Sequence, residues 1–211
     1  MRNLLAKGVV FLVIAMPAVL AGPALAADQQ EGPAQNPSAQ LQKEHDITLK
    51  MLDAARQEAA LIRETGSLNV QRILKMHDFF SNFVDKCHHA KEERFYFPAA
   101  KFYDGRTIEN LTAELVNEHN YGRTLLQEVA YMLEQKQNAD PALVADRLDR
   151  YAEMIRAHIG KENQILYQQA DLRLPMAEKA GMMQGFARIE KQELGEGFHD
   201  KYHALAMEVL K

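Results

Sequence analysis

The chain has 211 residues, enough for one domain with a substantial core, and 47% of them are hydrophobic. Its 25 basic and 29 acidic residues give a formal net charge of −4, a balance that argues against nucleic acid as a partner. Cys87 is the only cysteine, which excludes an internal disulfide in any compartment.

The first segment stands apart from the fold. Arg2 and Lys7 precede an uncharged run from Gly8 to Ala27 that ends on Ala24-Leu25-Ala26, the pattern of a secretory signal peptide over residues 1–26. The run is about long enough to cross a bilayer. Pro17, Gly22 and Pro23 disfavour a regular spanning helix, so no stable membrane span is expected after cleavage. The expected location is therefore outside the cytoplasm, periplasmic or secreted. Residues 27–38, rich in Gln, Pro, Gly and Ala, read as a flexible linker, and the folded part is predicted over 39–211. Without Arg2 and Lys7, 23 basic residues face 29 acidic ones, a net charge of about −6.

From residue 39 onward glycine and proline are sparse, and apolar residues recur three and four apart, the spacing of long amphipathic helices. The predicted helices cover 39–64, closed by Thr65-Gly66-Ser67; 68–103, closed by Asp104-Gly105; 107–137; and 141–170, opened by Asp140 as cap and Pro141 at the first helical position. A helical extension follows over 176–211, interrupted near Gly195-Glu196-Gly197. Nothing reads as a strand. The short connections make successive helices antiparallel neighbours, so the predicted fold is all-α: an up-down-up-down four-helix bundle with an extra C-terminal helical segment.

A histidine and glutamate pattern occurs twice on these helices. Glu44-His45 is echoed by Glu118-His119, and His88-x-x-x-Glu92 by His158-x-x-x-Glu162, with offsets of 74 residues from His45 to His119 and 70 from His88 to His158. Residues four apart lie on one helix face, so each His-x-x-x-Glu is a two-pronged donor set. The histidines interrupt apolar stripes: Leu41, Leu49 and Leu52 around His45; Leu115 and Leu126 around His119; Tyr151, Met154 and Ile165 around His158. Imidazoles and carboxylates facing one core without partners are costly, and a pair of metal ions is a common solution. Such donors suit iron, zinc or manganese and leave room for a small molecule. Nitrogen donors outnumber carboxylates here, which favours binding or sensing a small oxidant over hard substrate oxidation.

The segments Glu44-His45, Cys87-His88-His89-Ala90-Lys91-Glu92-Glu93, Glu118-His119-Asn120-Tyr121-Gly122-Arg123 and His158-Ile159-Gly160-Lys161-Glu162-Asn163 together resemble hemerythrin and the hemerythrin-like cation-binding domains. The resemblance spans residues 39–170. It implies a non-haem diiron centre between the four helices, able to bind dioxygen or a relative such as peroxide at an open iron position. It also implies His45, His88, Glu92, His119, His158 and Glu162 as the metal ligands. Two departures stand out. Oxygen carriers of this kind have two histidines one turn apart on the third helix, where this chain has Arg123 and Leu115 on either side of His119. They end their set with an aspartate five residues after the last histidine, where this chain has Asn163, with Glu162 at four. The missing histidine weighs against reversible oxygen carriage and toward sensors, iron handlers or peroxide-reactive proteins. His89 is an additional candidate ligand; its alternative role is a hydrogen bond beside the ligand set.

Other residues receive blander expectations. His89 and Glu93 share the spacing of His88 and Glu92, but their counterparts Ile159 and Asn163 cannot repeat the pair. His77 reads as a core histidine, His199 and His203 as surface residues, and Cys87 as a small apolar core residue. Lys91 and Lys161 are expected on a solvated face, and Glu44 and Glu118 to point away from the site. Tyr96, Tyr121 and Tyr167 are candidates to donate hydrogen bonds into it. Two competing functions remain open: a diiron peroxidase or oxidase, with a tyrosine or glutamate moving protons, and a metal store or structural zinc site.

Overall fold

The computed structural model describes residues 36–135 and 138–211. The expected signal peptide lies outside the described residues, as does the expected linker up to residue 35. Helix α1 spans Pro37–Thr65 and begins two residues earlier than Ala39. The Asn36 side chain accepts from the Ser38 N–H at 3.2 Å, and Pro37 suits the first turn, so the helix extends into the end of the expected linker. It ends at Gly66, whose φ of 65° lets its N–H reach the Ile62 carbonyl at 2.8 Å.

Helix α2 runs continuously over residues 70–104, capped by Asn69. It contains α-helical Val70–Asp78, π-helical Phe79–His89, π-helical Glu92–Tyr96 and α-helical Phe97–Asp104. Helix α3 is Arg106–Glu134; the expected end at 137 lies outside the described residues. Helix α4 covers 141–171 as Pro141–Lys161, π-helical Glu162–Leu166 and Tyr167–Asp171, with Asp140 accepting from the Ala142 N–H at 2.9 Å. Helix α5 covers 176–193, Met176–Arg188 followed by π-helical Ile189–Glu193, and α6 is Phe198–Val209. No strand occurs among the described residues.

The order of buried groups along each helix gives the topology. Going along α1, Leu41 is followed by Glu44 and His45, then Met51 and Ala55, then Ala59 and Ile62. Helix α2 meets the same layers in reverse: Ile73, then Phe79, Phe80 and Phe83, then His88, His89 and Glu92, then Tyr96 and Phe97. Helix α3 repeats the order of α1 through Leu115, His119, Leu126 and Leu133, and α4 that of α2 through Leu148, Ile155, His158 and Leu166. The alternation is that of an up-down-up-down bundle. One polar layer is sandwiched between two apolar ones, and a third apolar layer closes the far end.

The C-terminal helices cover this bundle from one side. Helix α5 inserts Met182 and Phe186 into the layer of Leu41, Tyr96 and Tyr167, and α6 inserts Tyr202, Ala206 and Val209 into that of Phe79 and Phe83. The π-helical turns change which residues face inward. Ile165, expected on the inner stripe with His158, is 45% exposed, while Leu166 is fully buried. Bonding from residue i to i+5 takes up one extra residue in the turn after Glu162 and rotates the stripe.

Two glycines on α5 separate packing from propensity. A Cβ on Gly185 would lie 2.6 Å from the Phe95 ring, whereas one on exposed Gly181 meets nothing within 4 Å. Gly185→Ala should lower unfolding free energy by about 1–3 kcal/mol through overpacking. Gly181→Ala should raise it by about 0.5–1 kcal/mol. Urea unfolding of both variants checks the contrast; equal shifts would refute this packing of α5.

Candidate metal centre

The helix registers bring His45 from α1, His88, His89 and Glu92 from α2, His119 from α3, and His158 and Glu162 from α4 into the polar layer. All seven side chains are buried, none more than 4% exposed as residues. They form two groups that share Glu92: His45, His88, Glu92 and Glu162 in one, and His89, Glu92, His119 and His158 in the other. Within each group one donor atom per residue lies within 4.8 Å of every other.

The two carboxylates span the groups. Glu92 places Oε1 3.4 Å from His88 Nε2 and Oε2 3.5 Å from His119 Nε2. Glu162 places Oε2 3.2 Å from His45 Nε2 and Oε1 3.0 Å from His158 Nε2. His89 and His119 stack at 3.6 Å between ring centroids, and consecutive His88 and His89 both turn inward from the end of the π-helical segment.

Each histidine holds an acceptor with its other nitrogen. Nδ1 of His45 faces Asn163 Oδ1 at 3.0 Å, of His88 Glu44 Oε2 at 2.9 Å, and of His89 Asp85 Oδ1 at 3.4 Å. Nδ1 of His119 faces Glu93 Oε1 at 2.7 Å, and of His158 Glu118 Oε2 at 3.0 Å. An Nδ1–H donated outward leaves Nε2 as a lone pair for the interior, the arrangement that outer carboxylates and amides impose on metal-binding histidines. The interior is correspondingly short of donors. His45 Nε2, His88 Nε2, Glu92 Oε2 and both Glu162 oxygens are buried without a hydrogen-bond partner. The Nε2 atoms of His119 and His158 face each other at 3.1 Å. Such an array is unfavourable unless cations lie among the atoms, so the residues present fit a metal pair.

Several of these partners differ from expectation. Lys91 is not on a solvated face: it is fully buried, ion-paired to Glu44 and, at 2.5 Å, to Glu190. Glu44 and Glu118 do not point away but hold His88 and His158, and Lys161 pairs with Glu118 as Lys91 does with Glu44. The recurrence of Glu44-His45 as Glu118-His119 and of Lys91-Glu92 as Lys161-Glu162 was the available signal, since both copies keep this outer glutamate and lysine beside the inner donors. Tyr167 donates to Glu92 Oε1 at 2.5 Å, Tyr96 donates instead to Asp171 at 3.4 Å, and Tyr121 is 46% exposed. Arg123, standing where a carrier would have histidine, pairs with Asp85 and Glu93.

His77 is half-buried in α2, outside both groups. His203 is exposed, but His199 is partly buried, 3.5 Å from Cys87 Sγ and 3.2 Å from Glu190. Cys87, Glu190 and His199 approach as a third possible donor trio. The Lys91 ammonium already supplies positive charge beside them, and burial pushes the Cys87 thiol up to about 12, so this cluster reads as the anchorage of α5 and α6.

Without metal, the carboxylates draw protons onto two of the rings. Burial opposes the charge, but Glu92 and Glu44 raise His88 to about 10, and Glu162 and Glu118 raise His158 to about 10. His89, buried beside the other imidazoles, is held well below its ordinary range. Histidines raised from 6.5 stabilise the fold fully below that pH and lose the contribution as pH rises through about 10. Urea unfolding of metal-free protein should therefore show stability falling across that window. His88→Gln should flatten the fall, and an unchanged slope would contradict the pairing.

Compared with known families, residues 36–170 match the hemerythrin family, described as the hemerythrin HHE cation-binding domain. No curated protein and no solved structure matches the chain. The family match covers more than half of the chain and takes in both His-x-x-x-Glu motifs and the single histidines that precede them: the chain belongs to the hemerythrin family of HHE cation-binding domains.

Proposed function

We propose that this is an exported diiron protein that binds or senses dioxygen or a related small oxidant such as hydrogen peroxide. The observation that carries the reading is the pair of buried donor groups sharing Glu92, with inward atoms that lack partners. His45 and His88 would hold one ion, His89, His119 and His158 the other, and Glu92 and Glu162 would bridge them. His89 thereby supplies from α2 the nitrogen that Arg123 does not supply from α3. Imidazole and carboxylate donors suit iron, with zinc or manganese as the competing occupants. Iron held there would contribute Lewis acidity and electron transfer toward a small oxidant.

The protein's own groups prepare the site. Glu44, Glu93, Glu118, Asp85 and Asn163 fix the imidazole orientations. Phe97 stacks against His119 at 5.7 Å between centroids, and this apolar wall excludes bulk water. No helix among the described residues is long and apolar enough to cross a membrane. Export rests on the N-terminal pattern, and mass spectrometry of protein from the expressing host should find the chain beginning at Ala27; a retained Met1 would remove this part.

A second reading, a diiron peroxidase, is favoured by the Tyr167 hydroxyl, a protic group that donates to Glu92 at 2.5 Å within the buried layer. Steady peroxide turnover that falls in Tyr167→Phe supports the enzyme; no turnover in the iron-loaded wild type leaves binding or sensing.

Metal analysis of anaerobically purified protein should give two irons per chain. Glu92→Ala and Glu162→Ala should each lose metal, and Glu118→Gln should weaken binding about 10–100-fold in chelator competition. Unchanged metal content in both alanine variants overturns the ligand assignment.

A further inference from the structure

One small chamber touches the polar layer from the side. Asp85, His89, His119, Gly122, Arg123 and Tyr151 help to line it, and its free space of about 10 Å³ accommodates roughly one water molecule. The inner wall is made by the rings of His89 and His119, and the outer wall by Asp85 and Arg123, whose side chains are 23% and 30% exposed. Gly122 keeps the space open: a Cβ there would come within 3.3 Å of Tyr151 and 3.2 Å of Met154. Arg123 closes it, tied at 2.7 Å to both Asp85 and Glu93.

Two other flanks of the layer are covered differently. Over His88, Lys91 is fully buried beneath Glu190 and 5.7 Å from the Phe186 ring centroid, with His199 beyond it. Over His158, Lys161 is pinned between Glu114 and Glu118. At the chamber, one guanidinium faces two carboxylates, leaving a net negative mouth that disfavours anions.

We propose that this chamber is the route by which a small neutral oxidant, with the size and polarity of hydrogen peroxide, reaches the metal centre, and that Arg123 is its gate. The proposal rests on the diiron reading above. Its geometry explains what stands in place of the absent third-helix histidine. Arg123 replaces a donor with a closure, and His89 behind it turns a nitrogen toward the centre.

The test measures the rate of the spectral change when iron-loaded protein is mixed with hydrogen peroxide or with azide. Arg123→Ala should speed the peroxide reaction about tenfold, as expected when two ion pairs no longer have to open. Azide should gain less, because the mouth becomes more negative. Gly122→Ala, which narrows the chamber, should slow both probes. His199→Ala and Glu114→Ala, which thin the flanks over His88 and His158, should leave both rates at the wild-type value. A second readout uses metal-free protein: deuterium exchange at the ring C–H of His119 should quicken in Arg123→Ala and slow in Gly122→Ala, while that of His45 stays constant. Wild-type rates in Arg123→Ala, or equal acceleration in either flank variant, would overturn the route. Fewer than two irons in the wild type would instead count against the diiron reading, and the exchange experiment would still decide the route.

Discussion

The structure depends on placing five imidazoles and two carboxylates in one buried layer. Unpartnered charge and lone pairs are expensive away from water, and the apolar layers on either side prevent solvent from supplying partners. The chain answers with an inner set of atoms that require cations and an outer set of acceptors that orient the rings. The helix lengths, the packing order of the bundle and the π-helical turns all serve to bring these two shells into register.

The two sequence copies build nearly the same device twice. Glu44 with Lys91 supports His88, and Glu118 with Lys161 supports His158. The C-terminal helices then break the equivalence. They bury Lys91 completely while leaving the Lys161 side chain 25% exposed. A duplicated motif has thus become an asymmetric centre, sealed on one flank and partly open on others. The difference between the two lysines lies in packing, since the Glu-Lys-His arrangement is alike in both copies; His89 and Glu93, which have Ile159 and Asn163 as counterparts, add a difference of sequence.

Most of the fold was legible because its signals are local. Asp140 and Gly66 act as a cap and a stop through their own backbone neighbours, and three- and four-residue spacing marks the buried faces. What failed was local in a different sense. Ile165 fell off the inner stripe because a π-helical turn after Glu162 changes the period on which the stripe was counted. Lys91 was assigned to solvent because its helix face is outward in the bundle alone; α5 and α6 cover that face. Arg123 was readable as a missing donor, but its pairing with Asp85 and Glu93 from α2 joins residues 38 and 30 positions away in the chain.

By itself the sequence determined that this is a helical bundle whose doubled histidine and glutamate motif faces a common core, because helix period and burial cost are properties of neighbouring residues. Only the tertiary structure decided which nitrogen of each histidine faces inward, that His89 joins the layer, and that Lys91 seals one flank while Arg123 ties Asp85 to Glu93 across another. Those outcomes are set by contacts between helices, where the partner of each polar atom comes from a distant stretch of chain.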